Sequence, residues 1–196
     1  MSAHESMEHA EHAEHASGSN KKIALLIAVI ALCLALSETL GKGAQTDSIS
    51  ENVASANLWA FFQAKSIRLT TVKTAAEQLQ AQAEATAEPA VMAAMMKRVE
   101  GWREIAARYD DDPESGEGRK QLAERAKHAE HARDLAMAKY HHFELASAAF
   151  QIAIVLASAA IIAGAMWLGW GAGLLMLAGI AFTAIGLFAP QAVHLM

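Results

Sequence analysis

The chain has a single cysteine, Cys33, and three prolines among its 196 residues. One thiol excludes an intramolecular disulfide, so cysteine usage says nothing about compartment. No stretch alternates strictly between apolar and polar residues, which leaves no candidate strand. Basic residues are not in surplus, with 16 Lys and Arg against 21 Asp and Glu. A nucleic-acid surface needs a cationic excess to neutralise phosphates, so nucleic acid is not an expected partner. Also missing are a Gly-rich phosphate loop, a nucleophile elbow, paired carboxylates around a polar pocket and a His-Glu-x-x-His pattern. No enzymatic activity and no cofactor are expected.

What the chain does have is two apolar blocks enclosing a long polar segment. Ile23 to Leu36 is an unbroken apolar run, and Leu145 to Ala189 carries no Asp, Glu, Lys, Arg or His. About 20 helical residues cross the roughly 30 Å hydrocarbon layer, so the second block is long enough to cross twice. Its expected fold-back is Leu168-Gly169-Trp170-Gly171-Ala172-Gly173, where glycines interrupt a helix and tryptophan suits an interface. The predicted organisation is a His/Glu-rich polar tail over 1–21, spans at 22–40, 145–168 and 174–190, and a polar insert over 41–144. The fold class is all-α: three transmembrane helices plus a long helical hairpin, coiled-coil-like, outside the membrane.

The first run also has features of a signal peptide, with Lys21 and Lys22 before it and Ala35-Leu36-Ser37 as a cleavage-like motif. The long acidic tail before it, and its continuation through Thr39 and Leu40, favour a retained span. Orientation follows the positive-inside rule. Lys42, Arg125, Lys127, Arg133 and Lys139 flank the spans on the insert side, and the fold-back is uncharged. That bias favours a cytoplasmic insert, against the pull of Lys21 and Lys22 beside the first span.

The insert is rich in Ala, Glu, Gln, Lys and Arg, all good helix formers. Its apolar residues recur at steps of three and four, in three stripes. The first is Leu58, Phe62, Leu69, Val72, Ala76, Leu79 and Ala83, with Lys65 in a missing place. The second is Met92, Met95, Val99, Trp102, Ala106 and Tyr109. The third is Leu122, Ala126, Ala129, Ala136, Tyr140 and Phe143. Breaks are expected at Glu88-Pro89 and at Asp110 to Gly118. At 1.5 Å per residue, Asp47 to Glu88 spans about 60 Å, and the two later segments about 30 and 40 Å. Reversal near Pro89 balances these lengths. Reversal at the acidic loop requires the Asn57 to Phe62 region to lie flat on the membrane.

The Ser37-Glu38 end of the first span, the block Asn57-Leu58-Trp59-Ala60-Phe61-Phe62-Gln63-Ala64-Lys65, Glu144-Leu145-Ala146-Ser147 and Gln151 to Ser158 carry a resemblance. Through them the chain resembles a bacterial family of small three-span membrane proteins whose domain has no known function. The resemblance implies a bacterial membrane protein. It supplies no activity and no functional residues.

Few residues are candidates for chemistry. The tail repeats Glu-His-Ala, placing His9, His12 and His15 three apart with His4 upstream; such imidazoles can converge on Zn or Ni, at least adventitiously. His-Ala-Glu-His-Ala recurs at 128–132, with His141 and His142 beyond. The alternative is a solvated, low-complexity tail and a solvated helix face. Glu38 and Glu144 mark the membrane boundary, where an acid reaches interfacial water. Gln151 and Ser158 share a face of the second span and can hydrogen-bond across helices, while Ala149, Ala153 and Ala157 form a small-residue packing ridge. The expected function is a homo-oligomeric membrane scaffold or adaptor in a bacterial inner membrane. Its expected partners are lipid and further copies of itself; the sequence does not identify any other protein partner. The alternatives are a channel or transporter subunit and a membrane-tethered metal binder.

Overall fold

A computed structural model describes the backbone of residues 3–192 and the side chains of residues 21–192. It is all-α, with no strand among the described residues. The helices are α1 (Ala3–Glu84), α2 (Pro89–Asp110), α3 (Arg119–Ala163) and α4 (Met166–Phe188). Three of them are long and apolar enough to cross a membrane: α1 from Lys21, α3 and α4.

The breaks have local causes. Glu88 is extended at φ −94°, ψ 113° because the ring of Pro89 bars it from the helical region, and Pro89 then starts α2 at a position that needs no N–H. Between α3 and α4 the chain turns at Gly164, in the left-handed region at φ 63°, followed by extended Ala165. The fold-back therefore lies ahead of the expected Leu168 to Gly173, and the second apolar helix ends at Ala163 rather than 168. Gly169, Gly171 and Gly173 lie inside α4, which begins at Met166 rather than at the predicted 174. A helix tolerates glycine at about 1 kcal/mol each, whereas a left-handed turn residue strongly favours it.

The chain forms two compact units: Met1–Ser48 with Asp134–Met196, and Ile49–Arg133. The core of the first joins Ile23 and Ile30 of α1, Ala146, Phe150, Ala153, Ala157 and Ala160 of α3, and Ala172 of α4. Small residues let these helices approach closely. Phe143 and Phe150, seven residues apart on α3, lie against Gly186 and Gly179, seven apart on α4. A methyl group built on Gly179 would stand 2.6 Å from the Phe150 ring.

In the second unit the buried residues also recur at sevens: Leu69, Ala76 and Ala83 on α1, Val99 and Ala106 on α2, Leu122 and Ala129 on α3. Helix α2 returns along α1, with Arg103 donating to Gln80 and the Lys65 ammonium over the Tyr109 ring. The start of α3 continues that return. Arg119 lies over the Phe62 ring, and Trp59 Nε1 donates to Glu130 Oε1 at 2.8 Å. The chain thus reverses near Pro89, and Leu58, Trp59 and Phe62 of the Asn57 to Phe62 region are part of the packed seam.

Candidate functional site

Two polar clusters stand out, one in each unit. In the first unit Ser37 is fully buried where α1 meets α3, and its hydroxyl donates to the Phe143 carbonyl at 3.1 Å. A shallow cleft beside it is bordered by Glu38, Lys42 and Gln45 of α1 and by Tyr140, Glu144 and Ser147 of α3. Gln151 Nε2 donates to Glu38 Oε1 at 3.4 Å, and Tyr140 donates to Glu144 Oε1 at 3.4 Å. His141 Nδ1 lies 3.8 Å from the Glu144 carboxylate. This is a rim of exposed and half-buried polar groups, with one bonded pair reaching from α3 to α1 and one bonded set within α3, where the apolar run of α1 ends.

Behind the rim, His142 is buried against Phe182, its ring stacked at 6.5 Å. A carbonyl only accepts, so Nε2–H donates to Pro190 O at 3.1 Å. Nδ1 has no hydrogen-bond partner among the described residues. The sequence placed His142 in a histidine-rich stretch, but the pairing with Pro190 spans 48 positions and has no local signal.

The predicted site residues separate into different roles. Glu38 and Gln151 come together; Ser158 donates its proton to Ile154 O of its own helix at 2.8 Å. A serine hydroxyl reaches the carbonyl four residues back within its own helix more readily than a neighbouring helix. Ala153 and Ala157 are wholly buried within the chain's own core, and Ala149 is half-buried. Among the described residues, Glu144 bonds to its α3 neighbours Tyr140 and His141. His4, His9, His12 and His15 lie outside the residues whose side chains are described. Among the described residues, no three His, Cys, Asp or Glu side chains converge as metal ligands.

The second cluster is cationic and aromatic. Lys65 occupies a core position of the α1 stripe, with its ammonium 5.3 Å from the centre of the Phe61 ring, 5.4 Å from that of Tyr109 and 3.5 Å from Glu117. Arg119 pairs with Asp110 at 3.3 Å, while its Nε is buried without a hydrogen-bond partner among the described residues. The 111–118 loop is closed by α3. Asp111 accepts from Gln121 at 2.6 Å and from Lys120 at 2.9 Å. Those bonds hold the Asp111 carboxyl below its usual range, the Gln121 contact most strongly, and raise Lys120. Bonds from Ser115 lower Asp112 likewise. Lys65 was visible in the sequence as a break in an apolar stripe; the ring from Tyr109 and the carboxylate from Glu117 were not.

A family model matches residues 19–189, nearly all of the described chain and every residue of both clusters except Pro190. The chain belongs to the family described as Domain of unknown function (DUF4337). In this DUF4337 chain the match takes in α1 from just before Lys21, all of α2 and α3, and α4. Neither the curated proteins nor the solved structures give a match.

Proposed function

We propose that this DUF4337 protein is a non-enzymatic scaffold in a bacterial inner membrane, held by three spans and assembled from copies of itself. In this reading residues 41–144 form a coiled-coil-like hairpin outside the membrane, on the cytoplasmic side. One observation carries the self-association. Helix α1 has a second stripe at steps of three and four, Ile49, Val53, Ala56, Ala60, Gln63, Ile67, Thr70 and Thr74, away from its packed seam. Ile49, Val53 and Ile67 are 60%, 54% and 68% exposed. No charged residue falls on that face between 49 and 74. An exposed stripe with coiled-coil spacing and no charge suits a like helix, since two identical faces meet without repulsion.

The test is oxidative cross-linking in native membranes. With Cys33→Ala as background, Ile67→Cys is expected to give a disulfide-linked dimer, and Ile67→Glu to lower the mass of the detergent-solubilised assembly. A wild-type chain that runs as a single copy at all concentrations overturns the reading. The exposed Glu38–Gln151 pair favours a channel subunit as the second reading, tested by ion flux through reconstituted vesicles. A metal-binding role for the tail stands third.

A further inference from the structure

A groove of about 540 Å³ runs between α1 and α4 in the first unit, walled by Ile23 and Leu26 on one side and by Trp170 on the other. Its floor is Gly169 and Gly173, one turn apart on α4. A methyl group built on either meets nothing within 4 Å, so the chain does not fill this depression. The lining is apolar apart from one cation, Lys22, at the end of the apolar run of α1. Lys22 has no ion pair among the described residues, and Lys21 beside it is exposed. Trp170 is 79% exposed and Trp167 72%, at the same end of α4. Lysine and tryptophan together mark the headgroup level of a span, and lysine extends its ammonium towards phosphate there.

We propose that this groove is a binding site for one anionic glycerophospholipid, with an acyl chain along Gly169 and Gly173 and the phosphate on Lys22. The proposal rests on the membrane reading above. A glycine pair four apart also suits a second helix. A second copy docked symmetrically at this face, however, would bring two Lys22 ammonium groups together, whereas a lipid phosphate neutralises one. Lysines near an anionic surface favour it by on the order of fivefold each.

The experiment is native mass spectrometry of the full chain, released from micelles containing equal phosphatidylglycerol and phosphatidylcholine. Resistance to carbonate extraction is measured first, so that a chain that fails to insert sinks the membrane reading by itself. Inserted wild type is expected to retain phosphatidylglycerol at least several-fold over phosphatidylcholine. Lys22→Gln should cut that preference about fivefold. Gly173→Leu, which fills open space and favours helix, should remove the bound lipid while the chain still inserts. Equal retention of both lipids by wild type overturns the proposal, as does undiminished lipid on Gly173→Leu. Loss of a copy from the Gly173→Leu assembly with lipid retained assigns the groove to a second chain instead.

Discussion

Gly179 and Gly173 lie six residues apart on α4, and the same substitution is expected to act oppositely at the two. Gly179→Ala puts a methyl group against the enclosed Phe150 ring and should cost roughly 1–3 kcal/mol by overpacking. Gly173→Ala meets open space and should be neutral or mildly stabilising through helix propensity. Thermal melts of both variants in one detergent check the contrast, and equal shifts would mean that α4 does not seat on Phe150. Lys65 is the other residue whose setting fixes an expectation. Its partner Glu117 is half-exposed and regains water if the ammonium is lost. A methionine there keeps the stem packed between Phe61 and Tyr109, so Lys65→Met should change stability by no more than about 1 kcal/mol. A large loss would show that the ion pair matters more than the packing.

At the scale of elements, the acidic loop between α2 and α3 carries a pH dependence. The folded state holds Asp111 and Asp112 below their usual range, so the unfolded loop binds protons first as pH falls. Their contribution is present above about pH 4 and is lost on further acidification. The raised Lys120 contributes below its ordinary range and fails only in strong alkali. Amide exchange across 111–118 should therefore be flat between pH 5 and 9 once corrected for intrinsic rates, and should quicken below about pH 4. Quickening already at neutral pH would point to another titrating group. The breaks themselves were unequally legible. Pro89 announced the first turn, because a ring that removes an N–H acts on its immediate neighbours. The glycines of α4 misled, because glycine both ends helices and clears space for large neighbours. Gly179 clears that space for Phe150, which lies 29 positions earlier, so no local pattern exposes the pairing. The stripes of α1 and α3 were legible, since the seven-residue recurrence that buries Leu69, Ala76 and Ala83 is written in the sequence itself; that of α2 was legible only from Met95 on, because Met92 beside the turn is exposed.

For the whole molecule, the side on which the insert lies is the question the charges address. With Cys33→Ser as background, a cysteine at Glu114 is expected to resist a membrane-impermeant maleimide in intact cells and to react after permeabilisation. Reaction in intact cells would reverse the orientation and give the Lys21–Lys22 pair the deciding vote. The clusters were less legible than the helices because they join distant positions: Ser37 bonds the backbone at Phe143, 106 residues on. That separation has a consequence during synthesis. Residues 49–133 are contiguous and can close around one another as soon as they leave the ribosome. The unit containing α4 cannot, because Ile23 and Ile30 wait for Phe150, Ala153 and Ala172 to be made. The first apolar helix thus spends most of translation without its native neighbours. A nascent chain halted near residue 140 would expose that face to whatever insertion machinery or chaperone accompanies it.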